Sequence, residues 1–137
     1  MNREIKFRGK RISNGEWLSG DLMHDNIGGS YIYPIKSEGL YKENIVFTHT
    51  VGQYTGLKDK NGVEIYEGDI VDVWSQGSHC QDGIIKWGSG RCGFFIGNAT
   101  NSMVWNLSGN QHGCETLKVV GNIYDNPELI AREEDKP

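Results

Sequence analysis

The chain has 137 residues, a length typical of one domain, and 36% of them are hydrophobic and 10% aromatic. This apolar content excludes an intrinsically disordered protein, which has too little apolar surface to offset the entropy of ordering. The formal net charge of −4 argues against a dedicated nucleic-acid-binding domain, since such domains usually carry a basic patch on a basic whole. The 19 glycines, against three prolines, favour many short strands joined by tight turns.

The first predicted element is a β-hairpin formed by residues 4–12 and 16–23. Asn14 and Gly15 stand between the two strands, and an Asn-Gly pair favours a two-residue type I′ turn. Because successive side chains of a strand point to opposite faces, every second residue of the first strand points outward. The outward side chains are Lys6, Arg8 and Lys10.

Two further strands are predicted before residue 52. Residues 31–35 form a short strand at a sheet edge, because Pro34 cannot donate a hydrogen bond to a neighbouring strand. Residues 44–51 form the next strand. An exposed edge can pair with a second copy of the same chain, so we expect a homo-oligomer.

The stretch QYTGLKDKNGVEIYEGDIV, residues 53–71, is the most patterned part of the sequence. Gly62 and Gly68 supply the backbone freedom that two tight turns need. Five acids lie in this stretch or directly after it: Asp59, Glu64, Glu67, Asp69 and Asp72. We interpret them as turn residues that hydrogen-bond to the backbone. The alternative is metal-dependent hydrolysis through Asp59, Glu67 and Asp69.

The rest of the chain predicts four strands and one helix. Residues 77–83 are predicted to be a loop, and GSGRCG at 88–93 is predicted to be a hairpin turn. Asn126 and Pro127 suit the start of a short helix. The predicted strands are residues 84–87, 93–97, 102–107 and 116–123.

Short strands separated by turn signals indicate a mainly β protein with a small barrel. We expect an N-terminal β-hairpin unit over residues 1–50, an SH3-like barrel ending in the short helix over 51–132, and a flexible tail over 133–137. At least three of the four tryptophans are expected in the core, because Trp is highly buried on average. They stand at positions 17, 74, 87 and 105.

Several segments resemble the YopX family of bacteriophage and prophage proteins. They are VGQYTGLKDKNGVEIYEGDIVDV, GIIKW and VVGNIYDNPELI, and the opening IKFRGKRISNGEWLSGDLM is similar to the N-terminal segment of that family. The resemblance covers residues 5–23 and 52–130 and implies a small, mostly β protein. It implies no catalytic residues, because the biochemical role of the family is not established.

Histidines and cysteines cluster in the second half of the chain, and they are His79, Cys80, Cys92, His112 and Cys114. A structural zinc site uses four Cys or His ligands, usually in close pairs such as C-x₂₋₄-C. The spacing here approximates such pairs poorly. Two interpretations stay open: a zinc site where loops meet at one end of the barrel, and ordinary loop residues.

The basic N-terminal segment is the best candidate for a binding surface. Its cations could follow a phosphate backbone, and they are Arg3, Lys6, Arg8, Lys10 and Arg11. Aromatic residues on which bases could stack are Tyr31, Tyr33, Tyr41, Trp74 and Trp87. The other interpretation is a solvated strand face whose charges discourage edge pairing.

No catalytic motif and no phosphate-binding loop is visible in the sequence. We therefore expect a non-enzymatic binding or adaptor protein without a cofactor, acting on a host or phage protein. A nucleic-acid-associated accessory protein is the alternative. The N-terminus has no apolar signal-peptide core and no run approaches the roughly 20 apolar residues of a membrane span, so we expect a cytoplasmic protein that does not bind membranes.

Overall fold

Short strands dominate both of the units into which the chain divides, Met1–Tyr54 (unit 1) and Thr55–Pro137 (unit 2). The computed structural model describes residues 3–34, 44–75, 78–88, 90, 92–98, 103–107 and 116–130. The strands in these residues are β1 Phe7–Lys10, β2 Trp17–His24, β3 Ser30–Tyr33, β4 Ile45–Val46, β5 Gly52–Lys58, β6 Glu64–Tyr66, β7 Asp69–Ser75, β8 Ser78–Gly88, β9 Gly93–Gly97, β10 Met103–Asn106 and β11 Leu117–Asn122. The predicted mainly β class with a single short helix is confirmed.

In unit 1 the strand order is β4–β3–β2–β1–β5. Its core cluster consists of Leu18, Ile32 and Val46. Gly9 of β1 faces Val46, and a Cβ at Gly9 would lie only 2.8 Å from Val46 Cγ2. The inward position of β1 therefore needs a glycine, while Arg8 and Lys10 on either side of it point outward.

The loop between β1 and β2 differs from the predicted two-residue turn. Residues 12–15 form it, and Arg11 N donates a 2.8 Å hydrogen bond to Glu16 O where the strands meet. Gly15 has a φ of +73°, but Asn14 has no positive φ, which a type I′ turn requires at both central positions. Asn14 Oδ1 instead accepts a hydrogen bond from Glu16 N at 3.0 Å, as in an Asx turn.

The predictions for β3 and β4 are also wrong in part. β3 ends before Pro34 and lies between β2 and β4, so it is not an edge strand. The strand predicted over residues 44–51 has only two residues, because Thr48–Thr50 form a turn of 3-10 helix in which Thr50 Oγ1 donates to Phe47 O. The homo-oligomer stays a prediction, but β3 does not supply the free edge from which it was inferred.

In unit 2, β5 continues beyond Tyr54 and pairs with β6. The other strands form an antiparallel sheet in the order β10–β9–β8–β7–β11, which curls into a half-barrel. As predicted, β8 and β9 form an antiparallel hairpin, with Gly88 opposite Gly93. The core cluster of this unit consists of Ile65, Val71, Val73, Ile85, Ile96 and Leu117.

β8 occupies most of residues 77–83, so the loop predicted there is wrong. The register of β8 against β7 shifts, because Val73 pairs with Gln81 whereas Trp74 pairs with His79. One extra residue of β8 therefore lies between these two pairs, which is a β-bulge. A bulge breaks the alternation of side chains from which a strand is predicted. The sequence of residues 77–83 therefore does not indicate a strand.

The helix begins at Glu128, and residues 128–130 are its described part. Asn126 Oδ1 accepts a 3.2 Å hydrogen bond from Asn122 N, which ties the end of β11 to the start of the helix. The tail predicted over residues 133–137 lies outside the described residues. Among the described residues, no helix has the length and apolar character that crossing a membrane demands.

Candidate functional site

The outward face of the unit 1 sheet brings cations and aromatic rings together. Arg8 Cζ lies 4.7 Å and Lys10 Nζ 5.8 Å from the ring centroid of Trp17. Lys10 is the cross-strand partner of Trp17, and Arg8 is two residues away on the same face of β1. Lys6 Nζ lies 5.0 Å from the ring centroid of Tyr54. The rings are half-buried or buried, so each such cation–π contact contributes about 0.5–2 kcal/mol, which holds the cations on the sheet surface.

Two tyrosines of β3 extend this face. Tyr31 pairs with Met23 and Tyr33 pairs with Asp21. Since Asp21 and Met23 alternate with Trp17 along β2, both tyrosines point to the same side as Trp17. The two tyrosine rings are nearly parallel, with an interplanar angle of 10° and centroids 6.4 Å apart. We call the surface made by these side chains the cation–aromatic face, and it consists of Lys6, Arg8, Lys10, Trp17, Tyr31 and Tyr33.

Acidic side chains border the cation–aromatic face. Glu4 Oε1 lies 3.3 Å from Lys6 Nζ, and Glu16 Oε2 lies 3.5 Å from Arg11 Nη1, with both acids exposed. Arg3 is exposed before β1 begins. Exposed ion pairs contribute only about 0–1 kcal/mol, so an incoming phosphate can replace these acids at little cost.

Tyr31 is held at its hydroxyl end. Its hydroxyl donates a 3.0 Å hydrogen bond to Asp25 Oδ2, and this bond raises the pKa of Tyr31. The backbone N–H groups of Gly29 and Ile27 donate to Asp25 Oδ1 and lower the pKa of Asp25. Tyr31 is therefore a neutral, oriented ring at physiological pH.

The tryptophans are less buried than predicted. Trp17 and Trp74 are half-buried and Trp87 is 49% exposed, so the expectation of at least three core tryptophans is wrong. A cation lies over each of the two half-buried rings: Arg8 and Lys10 over Trp17, and Lys60 over Trp74, with Lys60 Nζ 4.6 Å from the ring centroid. Tyr41 and the side chain of Trp105 lie outside the described residues.

Asp59 has the turn role that the sequence predicts. Its side chain is 1% exposed. Oδ1 accepts hydrogen bonds from Asn61 N at 2.8 Å and Val63 N at 2.9 Å. Oδ2 accepts one from Val119 N at 2.9 Å, which links the turn to β11. The carboxylate thus organises the backbone on both sides.

Asp69 and Asp72 differ in role although they are close in sequence. Asp69 is 2% exposed, and its Oδ2 accepts a 2.7 Å hydrogen bond from Tyr66 N across the turn. Asp72 lies in the middle of β7, so its interpretation as a turn residue is wrong. Glu64 lies in β6 and Glu67 in the turn after it. The two buried acids of the hydrolysis alternative therefore bond to the backbone.

Asp72 belongs to a group of three polar side chains on the β7–β8 hairpin. His79 Nε2 lies 2.9 Å from Asp82 Oδ1 and 3.6 Å from Asp72 Oδ1. One ligand atom from each of the three lies within 4.8 Å of the other two. We call Asp72, His79 and Asp82 the acid–histidine cluster.

The predicted soft ligands are not assembled in the described part of the chain. Cys92 is exposed in the β8–β9 turn. Cys80 follows His79 in β8, but its side chain lies outside the described residues, as do His112 and Cys114. Where the structure describes its surroundings, His79 contacts two carboxylates rather than thiols.

Asp82 could not be recognised as a site residue from the sequence. In a regular strand, residues three apart point to opposite faces, so His79 and Asp82 do not read as a pair. The bulge between them brings both side chains to one face of β8. There His79 pairs with Trp74, and Asp82 pairs with Asp72, across the two strands. The spacing His-x-x-Asp is a signal only when the position of the bulge is known.

In the acid–histidine cluster, burial and the neighbouring carboxylate of Asp82 raise the pKa of Asp72. Burial is the largest cause that raises the pKa of Asp72 to about 6, and a hydrogen bond to Asp82 and the charge of Asp82 add to it. The charges of His79 and Lys118 act in the opposite direction. Asp72 lies directly opposite Asp82 on β8 and Lys118 on β11. Close to neutral pH, the two carboxylates therefore oppose folding.

We expect Asp72→Asn to stabilise the fold near neutral pH by about 1 kcal/mol. The measurement is made on protein treated with a chelator, so that no metal ion contributes to stability. The pKa of Asp72 rises on folding from 3.8 to about 6, so the protonated form is favoured in the folded state. The stability that this proton supplies is fully present below pH 3.8 and is lost as the pH rises through about 6. Asn resembles the protonated acid and keeps that stability at all pH values.

Thermal denaturation followed by circular dichroism across this pH range measures the effect. Asp21→Asn, at an exposed acid of unit 1, is the control and should change the melting temperature little at any pH. An equal gain from Asp72→Asn below pH 3.8 and near neutral pH would contradict the explanation.

Comparison with known proteins agrees with the sequence resemblance. The chain matches the family described as YopX protein over residues 6–131. Among solved structures it is similar to the crystal structure of protein EF1440 from Enterococcus faecalis, with 26% sequence identity, a TM-score of 0.58, and coverage of 94% of this chain and 99% of that chain. No curated protein matches the chain significantly. Since the family match spans nearly the whole sequence, this protein belongs to the YopX family.

Proposed function

We propose that this protein is a non-enzymatic binding protein and that its cation–aromatic face binds single-stranded nucleic acid. One observation carries the proposal: three cations and three aromatic rings share one outward face of an antiparallel sheet. We propose that it acts in the cytoplasm of a bacterial host during phage or prophage life.

The chemistry of the face suits an unpaired strand. Bases that are not paired can stack on aromatic side chains, and cations next to them follow the phosphates. Trp17 lies on β2 four residues before Asp21, the partner of Tyr33 on β3, so at about 3.3 Å per residue and one strand spacing of about 4.8 Å the two stacking surfaces are roughly 14 Å apart on the sheet. Duplex bases are already stacked inside the helix, so the face should prefer single strands.

Charge is distributed between the units in a way that favours this ligand. Unit 1 holds seven Lys or Arg against six Asp or Glu, a net charge of +1, and unit 2 holds seven against twelve, a net charge of −5. The overall charge of −4, which argued against nucleic acid, therefore comes from unit 2. A phosphate that binds on unit 1 therefore contacts the unit whose own net charge is positive.

A non-enzymatic role is supported by the use that the fold makes of its acids. Asp59 and Asp69 were two of the three residues of the hydrolysis alternative. Their oxygens accept backbone hydrogen bonds and are at most 2% exposed. A carboxylate held in this way is poorly placed to bind a substrate or to take up its proton.

A fluorescence anisotropy titration tests the proposal, with a labelled deoxythymidine oligomer as the probe. If Lys6, Arg8 and Lys10 each contact one phosphate, the slope of log K against log salt concentration should be about −2, since single strands give roughly −0.7 per contact. Affinity should then fall by roughly 20-fold between about 50 and 200 mM salt. A duplex of equal length should bind more weakly. Absence of binding at low ionic strength would end the proposal.

A protein partner from the host or the phage is the second candidate, and Trp87 is the residue that favours it. Its ring is 49% exposed and lies 5.0 Å from that of Phe94, centroid to centroid, on the β8–β9 hairpin. Exposed Trp residues are frequent anchors of protein interfaces. A host protein captured by the wild type and lost with Trp87→Ala would support this candidate, and equal capture by both would count against it.

A further inference from the structure

The acid–histidine cluster offers three metal-ligand atoms on one face of a two-stranded ribbon. The His79 nitrogen lies 2.9 and 3.6 Å from one oxygen of Asp82 and one of Asp72. In a tetrahedral zinc site with bonds of about 2.0–2.1 Å, ligand atoms are roughly 3.3 Å apart. The two distances bracket that value, so small side-chain rotations would bring all three atoms onto one ion.

The backbone, rather than chance contact of long side chains, creates the arrangement. Asp72 and Trp74 are alternate residues of β7 and point to the same side. The register pairs Asp72 with Asp82 and Trp74 with His79, and the bulge in β8 makes both pairings possible. Short side chains on paired strands leave few rotamers, so the ligands are positioned before an ion arrives.

Neighbouring residues orient the histidine and moderate the charge. The His79 ring makes an edge-to-face contact with the Trp74 ring, with centroids 5.6 Å apart and an interplanar angle of 66°. Lys60 lies over the same indole, and Lys118 pairs with Asp72 from β11. Since Lys118 offsets part of the negative charge of the two carboxylates, we expect them to bind a divalent cation with moderate affinity.

The ligand atoms select the class of ion. Calcium and magnesium take oxygen ligands, so an imidazole nitrogen in the set disfavours them. Imidazole together with carboxylate suits zinc and its first-row neighbours, and zinc binds more tightly than manganese or iron at a given site of this kind. We propose that Asp72, His79 and Asp82 form a binding site for a divalent first-row transition metal ion, with water completing its coordination.

Isothermal titration of the full chain with zinc chloride, after removal of metal by chelation, tests this proposal. We expect a binding event of one equivalent in the micromolar range that His79→Gln and Asp82→Asn each weaken strongly. Loss of even an outer-shell partner costs roughly 10–100-fold in metal affinity, and a direct ligand should cost at least as much. His49→Gln, at an exposed histidine of unit 1, is the matched control and should leave binding unchanged.

Four outcomes would overturn the proposal. The first is no binding up to millimolar zinc, and the second is binding that both cluster variants leave intact. The third is binding that is lost on replacing the cysteines by serine, with a thiolate-to-metal band when cobalt is the probe, which would assign the ion to the thiols. Excess magnesium should not displace zinc, and displacement would refute the transition-metal class. The far-ultraviolet circular dichroism spectrum of each variant shows whether it is folded.

Discussion

Asp59→Ala should lower the free energy of unfolding by about 4 kcal/mol, which is a large fraction of the stability of a chain of this size. The substitution removes the acceptor of three backbone hydrogen bonds, from Asn61, Val63 and Val119. Each bond to a charged acceptor is worth about 1.5–3 kcal/mol, and the two turn amides recover part of this by binding water. Val119 N lies in the sheet, where water has less access.

The fold depends on Asp59 because this one side chain joins parts of the chain that are distant in sequence. Its bond to Val119 spans 60 residues, and Lys60 N donates a second bond from the same turn to Leu117 O at 2.9 Å. Loss of the carboxylate should therefore free the turn and the adjoining edge of β11 together. Urea denaturation followed by circular dichroism, with the midpoint and the slope both compared, measures this.

Two variants serve as controls for Asp59→Ala. Asp59→Asn keeps one oxygen for the bonds to Asn61 and Val63 but presents an amide N–H to Val119 N, so its loss should be intermediate. Glu16→Ala, at an exposed acid directly before β2, should change stability by less than about 0.5 kcal/mol. A midpoint for Asp59→Ala equal to that of the wild type would show that the three hydrogen bonds contribute nothing net.

The hydrogen bonds of Asp59 show which contacts can be predicted from the sequence and which cannot. The bonds to Asn61 and Val63 are local, and the sequence Asp-Lys-Asn-Gly at 59–62 predicts such a turn. The bond to Val119 depends on how β11 pairs with β7, which no local pattern contains. The turn role of this acid could thus be predicted, but not its link to a strand near the end of the chain.

The same distinction holds for the candidate sites. Alternation in β1 predicted that Arg8 and Lys10 share a face, because that needs only a regular strand. Their contact with Trp17 followed from the pairing of β1 with β2, which the Asn-Gly signal indicated even though the turn type was wrong. The acid–histidine cluster could not be predicted, because the bulge that pairs His79 with Trp74 depends on the register of two whole strands.

Reversing the three cations of the cation–aromatic face should abolish nucleic-acid binding. The variant Lys6→Glu, Arg8→Glu and Lys10→Glu removes three phosphate contacts and replaces them with repulsion. We expect affinity for the deoxythymidine probe to fall at least about 100-fold at low salt, with loss of most of the salt dependence. Anisotropy at several salt concentrations measures both quantities. Unchanged affinity would refute the assignment of the face.

A control with the same net charge separates the face from the charge of the whole protein. Each reversal changes the net charge by −2, so three of them take it from −4 to −10. The variant Lys58→Glu, Lys60→Glu and Lys118→Glu has the same net charge, but its substitutions are at exposed positions of unit 2. Because this variant keeps Lys6, Arg8 and Lys10 and so removes none of the three phosphate contacts, it should lose only a few-fold in affinity. Equal losses in the two variants would mean that overall charge, not this surface, governs binding.

A substitution that strengthens binding tests the face in a way that misfolding cannot imitate. Asp21 is an exposed acid on β2, directly opposite Tyr33, so it lies on the same side of the sheet as the face. Its charge should repel a phosphate bound there, and Asp21→Asn should raise affinity several-fold at low salt and less at high salt. A destabilised protein could lose binding for many reasons, but it would not gain affinity from the loss of one acid. A neutral or weakening effect of Asp21→Asn would place the ligand elsewhere, even if the triple reversal had abolished binding.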